Sequence, residues 1–540
     1  MKLGFAAALL FAMMIPAHAV TDADVIVYGA SSGAVIAAVE ASKEGKSVIL
    51  ISPEQHLGGL TSSGLGWADV GKVAYIGGLS REFFHRVWLH YRDAAAWRSG
   101  VVPKTVHAQT RVGKDDAAQM MYVFEPKVAE AIFDSLMAEN RIPVIHARLD
   151  LADGVEKDGN RITGLRVEGG PVYHGKVFID ATYEGDLMAR AGVKYTVGRE
   201  ASSQYGERLN GIETRLAKLN QLPPGIDPYV EKGQPASGLL PGVNPPSSVP
   251  DGSADHKIQA YCYRMCLTND PDHRIEITQP AGYNEKDYEL LFRAIEAGAK
   301  GSFFKLDPVP NHKTDSNNAG GISTDYIGMN YRYPDADYAE REKIAEAHKQ
   351  WQLGLIWALQ HSPRVPPTVR AFYSKWGLPD DEFTDNDHWP YDLYVREARR
   401  MVGDYVLTER ILESGSPAAR PVAIGSYAMD SHNVQRLVSP GGFVLDEGDV
   451  QKPVKKPYQI DYGVLLPKKA DCGNLLVPFC VSASHIAFGS VRMESVFMIL
   501  SQSAASAAVI AINRGIAVQD VPYADLRAKL DAGGQILDVK

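Results

Sequence analysis

The chain has little cysteine: four residues in 540, Cys262, Cys266, Cys472 and Cys480. Neither pair has C-x-x-C spacing and no paired His/Cys motif accompanies them, which argues against a zinc or redox-dithiol site. A disulfide is permitted outside the cytoplasm, but the spacing assigns none; small buried thiols are the simpler reading. Positive charge is not in excess either. Fifty-six Lys and Arg face 65 Asp and Glu, a formal net charge of −9, and phosphate-backbone binding needs clustered cations, so no nucleic-acid partner is expected. Beyond the N-terminus no stretch reads as a membrane span, and no stable membrane insertion of the mature chain is expected. A second strand–glycine turn–helix unit is also missing: "NAGGIS" and "SPGGFV" follow loops, not apolar strands. No dedicated NAD(P)H domain is therefore expected, and no metal site.

What is present is an ordinary globular composition, 45% apolar and 22% charged, in a chain long enough for two or three domains. Residues 1–19 read as a signal peptide: Lys2, the short apolar run "FAAALLFAMMIPA", then Ala17–His18–Ala19 as a small-residue cleavage site. A periplasmic or secreted protein is expected, with an uncleaved anchor as the alternative. No twin arginine precedes the run.

"DVIVYG" has the composition of a buried parallel strand. "SGAVIAAVEASKEGK" has helical spacing and "SVILIS" is a second buried strand, so the three form one βαβ unit. Its turn is "GASSGA". Gly29 permits the tight turn. Ser31 and Ser32 are small enough for a pyrophosphate to approach and can donate hydrogen bonds. Ala34, with Gly33 just before it, is tolerated where helix and strand pack closely; Gly29, Ser31 and Gly33 should line the pyrophosphate, and the helix start favours a phosphate. The acid usually found at the end of the second strand is replaced by Ser52, whose hydroxyl can still reach a ribose. A second glycine-rich loop, "HLGGLTSSGLG", follows directly. Many flavoproteins carry a basic residue, a spacer, two glycines and then Ser or Thr here: His56, Gly58, Gly59, Thr61 and Ser62. His56 reads as a phosphate contact.

With "FIDATYEGDLMARAGVKYTVGRE", "YVREARRMVGDYV", "GSYAMDSHNVQR" and "LLVPFCVSASHIAFGSVRMESVFM" added to these, the sequence resembles a bacterial FAD-dependent oxidoreductase family, some members of which carry a xanthan lyase label. The likeness covers nearly the whole mature chain. It implies an α/β fold: a Rossmann-like FAD-binding domain of the glutathione-reductase type with an inserted substrate or cap domain. Residues 20–205 and 421–540 would form the FAD-binding domain and 206–420 the insertion. It also implies backbone pairing to adenine near Leu149. Asp180, Ala181 and Glu184 would lie near the cofactor, although Tyr183 stands where glycine is usual. The small-residue helix after "SVRMES" would close on the flavin, with Glu494 and Ser495 beside it.

For chemistry, a flavin dehydrogenase needs a base and groups that fix the substrate. His485 is the first candidate for base or orienter, Arg492 for electrostatic clamp and His432 for alternative base. "PNHKTDSNNAGGISTDYIGMNYRYP" is rich in groups that suit a hydroxylated or glycosidic substrate. Arg396, Arg399 and Arg400 have helical spacing and read as salt-bridging surface. The expected activity is oxidation of a polar small molecule by hydride transfer to FAD. Dioxygen, a quinone or a small carrier would be the electron acceptor, and the sequence does not choose among them. The alternative is a flavin-supported lyase or isomerase running a redox-neutral step on a glycosidic or hydroxylated substrate.

Overall fold

The computed structural model describes residues 21–104 and 114–539; the signal-peptide reading lies outside the described residues. The chain opens with strand β1, Asp22–Tyr28, helix α1, Ser32–Lys43, and strand β2, Val48–Ser52. The last four residues of β1 and all of β2 are buried, as expected of parallel strands covered on both faces. Helices α2, Gly78–His90, and α3, Pro126–Glu139, follow. They meet through Phe83 and Phe133, whose rings stack at 4.7 Å.

Strands β3, Val144–His146, β4, Val155–Asp158, β5, Arg161–Arg166, and β6, Val172–Asp180, complete the main sheet apart from one late strand. The order is β3-β2-β1-β6-β5-β4. β3, β2, β1 and β6 run parallel, whereas β5 and β4 form an antiparallel excursion. The carboxyl ends of β1, β2 and β6 thus lie side by side, the edge at which open α/β sheets bind ligands.

The stretch that follows builds its own hydrophobic core from residues between Leu222 and Val444. Its longest helix, α4, Tyr338–His361, contributes Trp351, Leu355, Ile356 and Leu359. Arg396, Arg399 and Arg400 depart from the sequence reading. They lie outside any helix, Arg400 in a two-residue strand, and are buried, because each is matched by an interior acid: Asp325, Asp186 and Glu200 respectively. The three-residue spacing arose without a helix.

The chain then returns to the first domain. Strands β7, Met429–Ser431, and β8, Val450–Lys452, pair antiparallel. β9, Leu475–Leu476, joins the main sheet beside β6. Two helices follow, α5, His485–Val491, and α6, Glu494–Arg514. By length and composition α6 is apolar enough to cross a membrane, which the sequence reading passed over; 94% of its apolar window is buried inside the protein. All four cysteines are buried free thiols.

Candidate functional site

At the end of β1, Gly29 has φ +140°, and a Cβ there would lie 2.5 Å from the Ala181 carbonyl oxygen. Only glycine lets the turn press against the end of β6. Ser31 caps α1: its Oγ accepts from the Ala34 N–H and donates to the Ala181 carbonyl at 2.6 Å. The first-turn N–H groups of Ser32 and Gly33 have no acceptor within the helix, which suits a phosphate. A Cβ on Gly33 would meet Ser501 Oγ at 2.3 Å and the Phe479 ring at 2.4 Å. Gly33 is therefore the residue that lets α1 pack closely on α6.

The second glycine loop is tied to the first. The Gly58 N–H donates to the Ala30 carbonyl at 2.7 Å. Gly58 and Gly59 have φ of +107° and +53°, and a Cβ on Gly59 would sit 2.9 Å from Ser31 Cα. Three hydroxyls converge on the Glu494 carboxylate at the start of α6. Ser32 donates at 2.5 Å, Tyr183 at 2.7 Å and Thr61 at 3.0 Å. Burial pushes the Glu494 carboxyl above its ordinary range against these three hydrogen bonds. Next to it, Ser495 Oγ is buried without a partner among the described residues. Two glycine surfaces, unfilled helix N–H groups and an orphaned buried hydroxyl at the closing helix fit a dinucleotide held between the loops and α6.

Several expected contacts are used otherwise. Ser52 Oγ donates to the Glu54 carbonyl at 2.6 Å, so the hydroxyl expected at a ribose closes a local turn. Glu54 instead lines a cavity of about 160 Å³ at the strand ends, with Tyr28, Arg148, Thr182 and Glu184. The Leu149 N–H donates to Tyr28 Oη at 3.0 Å and its carbonyl accepts from Tyr338 Oη at 3.0 Å. The backbone pair expected to meet adenine is thus occupied by two tyrosines. His56 does not present a free ring nitrogen to a phosphate: Nδ1 lies 2.6 Å from Glu130 and Nε2 3.2 Å from Asp385, with the ring stacked on Tyr391. Asp180 accepts from the Met188 and Thr182 N–H groups, and burial pushes its carboxyl up to about 6. Tyr183, the departure from glycine, bridges the second loop to α6, since its Oη accepts from the Leu60 N–H at 3.0 Å while donating to Glu494.

A larger cavity, about 580 Å³, lies between β7, β8 and the inserted stretch. Its wall includes Trp67, Asp69, Asp307, Asn318, Tyr394 and His432. His432 Nδ1 lies 2.6 Å from Asp325 Oδ2, and its Nε2 has no protein partner among the described residues. Burial alone would raise the Asp325 carboxyl, but Arg396 and His432 together hold it below its ordinary value. Asp430 also lines this cavity. Arg492, between α5 and α6, donates to Asp430 Oδ2 at 3.1 Å and to Tyr394 Oη at 2.7 Å, and its Nε is buried without a partner among the described residues.

His485 is placed elsewhere. Expected beside Arg492 at the substrate, it lies on the other side of β7, against a separate cavity of about 180 Å³ that includes Arg199, Leu209 and Val450. Both ring nitrogens are engaged, Nδ1 with Glu397 at 2.7 Å and Nε2 with Ser431 Oγ at 3.2 Å. Burial, with Arg400 and Arg199 nearby, pushes the imidazole down to about 3. The sequence signal for a base, a histidine before the closing helix, did not distinguish the two sides of one strand. Sequence reasoning also missed Asp69, Asp307 and Tyr394, which come together only through the fold. One acidic group, Glu125, Asp381 and Glu382, has ligand atoms close enough to hold a metal. It surrounds the Lys313 ammonium at 2.7, 2.7 and 2.5 Å, so a cation is already supplied.

Solved structures show weak likeness. An L-proline dehydrogenase from P. horikoshii is 17% identical, over 34% of this chain and 59% of that one, with a TM-score of 0.23. An L-amino acid deaminase from Proteus vulgaris is 15% identical, over 37% and 54%, with a TM-score of 0.22. A flavin-containing monooxygenase from Stenotrophomonas maltophilia is 13% identical, over 34% and 43%, with a TM-score of 0.19. In each case the match spans less than two thirds of the other chain, and these likenesses carry no argument about activity. No curated protein matches. The model of one family, described as FAD dependent oxidoreductase, matches residues 24–530. With the double-glycine cradle at its strand ends, the chain belongs to the FAD dependent oxidoreductase family, and FAD is its cofactor.

Proposed function

We propose that this enzyme oxidises a polar small molecule bound in the 580 Å³ cavity, with FAD as the immediate electron acceptor and without a dedicated NAD(P)H domain. The Gly29–Gly33 turn, the Gly58–Thr61 loop, Tyr183 and the Glu494–Ser495 start of α6 would hold the cofactor. When bound, FAD supplies the acceptor for the two electrons and the hydrogen that leave a substrate carbon.

The observation that carries this reading is His432. Its Nδ1 is fixed on Asp325, and its Nε2 is unpartnered at the wall of the cavity. A carboxylate that orients one nitrogen leaves the other to receive a proton from a substrate hydroxyl or amine. Arg492 supports the site by holding Asp430 and Tyr394; it is a positioning residue here, because its charge is matched by Asp430. His485 is replaced by His432 as the proposed base. The two electrons taken from the substrate would go on to dioxygen, a quinone or a small carrier. The export reading of residues 1–19 belongs to this proposal, and N-terminal sequencing of secreted protein would overturn it by recovering Met1.

The test is anaerobic reduction of the purified holoenzyme by a panel of sugars, amines and hydroxy acids, followed by loss of the flavin absorbance. His432→Gln should retain FAD and slow reduction by about 10²–10⁴-fold, the range for a lost general base. Unchanged reduction in that variant would remove His432 from the role.

A further inference from the structure

We infer that the substrate is an uncharged polyhydroxylated molecule, a saccharide or a close polyol analogue. The inference rests on the reading of the 580 Å³ cavity as the substrate site. That volume lies within the roughly 300–1,000 Å³ typical of small-molecule sites.

Charge is the first argument. A carboxylate substrate needs an unmatched cation, and among the described residues both arginines that line or back this cavity are already matched. Arg264 is paired in two places with Asp315, at 2.6 and 2.5 Å. Arg492 behind the wall is paired with Asp430 at 3.1 Å. Lys305 belongs to the wall but is exposed. Asp69 and Asp307 line the same space and would repel an anion.

Hydrogen-bonding capacity is the second. Asn318 is only 6% exposed, lines the cavity, and its carboxamide has no protein partner among the described residues. Its amide is therefore open to the cavity, where a ligand or water can meet it. The Asp307 carboxylate is likewise unpartnered among the described residues. Asp69 accepts one hydrogen bond, from Tyr427 Oη at 2.9 Å, and retains acceptor capacity. Acceptors from carboxylates, a group from Asn318 that both donates and accepts, and the hydroxyl-bearing Tyr394 and Tyr427 match the donor-and-acceptor character of sugar hydroxyls. Trp67, Tyr394 and Tyr427 add aromatic wall against which the C–H face of a pyranose can lie. An ammonium group would use the two aspartates but leave the Asn318 carbonyl–amide pair and the aromatic wall with less to do, so it is the competing outcome.

The experiment is equilibrium binding to the FAD-loaded enzyme by isothermal calorimetry, paired with anaerobic flavin bleaching. The probes are neutral mono- and oligosaccharides, the corresponding uronates, simple polyols, alkyl amines and amino acids. Neutral saccharides should bind better than uronates of the same ring. Asp69→Asn and Asn318→Leu should each weaken saccharide binding by roughly tenfold, the order expected for one lost hydrogen bond in a buried site, with the flavin spectrum unchanged. Binding confined to amines, amino acids or uronates, or no binding by any saccharide, would overturn the inference. Saccharide binding without bleaching would support it and overturn the redox reading instead.

Discussion

Replacement of His485 by Gln separates two roles that the sequence could not. The imidazole is 1% exposed, hydrogen-bonded at both nitrogens, and held down at about 3 by burial, with Arg400 and Arg199 adding to the effect and Glu200 and Asp255 opposing it. Unfolded, it would titrate near 6.5. Above about pH 6.5 neither state binds the proton, and the native stability is complete. Between 6.5 and 3 only the unfolded chain takes it up, so stability falls as pH falls through that window. By linkage the loss approaches ~1.4 kcal/mol per pH unit and amounts to about 2 kcal/mol at pH 5. Gln lacks the titration. At pH 7 the variant should be less stable by about 1–3 kcal/mol, the cost of disturbing buried hydrogen bonds. On moving to pH 5 the gap to wild type should close by about 2 kcal/mol. Urea unfolding followed by far-UV circular dichroism at pH 7, 6 and 5 measures it. Flavin reduction in the variant should stay near the wild-type rate, because the ring faces away from the cavity of His432. A constant stability gap across pH would refute the buried neutral histidine. A reduction rate lowered a hundredfold with FAD content intact would return His485 to the role of base.

Glu494→Ala removes the shared acceptor of Ser32, Thr61 and Tyr183; stranding buried hydroxyls costs about 1–3 kcal/mol each at most, so FAD affinity of the apoprotein, read by fluorescence titration, should drop at least tenfold, while Glu494→Gln should lose less. Gly33→Ala places a methyl 2.3 Å from Ser501 Oγ and 2.4 Å from the Phe479 ring; overpacking of this kind costs about 1–3 kcal/mol, visible as a lowered melting temperature, and the double variant Gly33→Ala/Ser501→Gly should recover part of it. Gly29→Val should fail at folding, because its Cβ points at the Ala181 carbonyl; poor folding yield, rather than a well-folded apoprotein, is the expected result on a size-exclusion column.

Much of the first βαβ unit and its two glycine loops was legible in sequence. The run from Asp24 to Gly66 declares itself through continuous apolar strands, a small-residue helix and glycines at two turns, all of them local features. Their placement in space follows nearly automatically, since a βαβ unit has one favoured handedness. The acids and tyrosines that meet this unit were less legible. Tyr183 could be seen as a departure from glycine, but its bond to Glu494 joins positions 311 residues apart. His56 was read from its neighbours in sequence, whereas its partners Glu130 and Asp385 arrive from other parts of the chain.

By itself, then, the sequence determined the class of fold and, through its family resemblance, the cofactor, because the βαβ unit and its glycine turns depend on patterns repeated within a few residues. Only the tertiary structure decided which histidine faces the 580 Å³ cavity. His432 follows β7 and His485 opens α5, and both stand beside carboxylates. They are separated by the two faces of β7, whose successive side chains point opposite ways. Asp430 and His432 line one cavity, while Ser431 turns to His485 on the other side. The same holds for Arg396, Arg399 and Arg400: their charge is written in the sequence, but their burial depends on acids brought from Asp186, Glu200 and Asp325, and only packing can desolvate a cation together with its match.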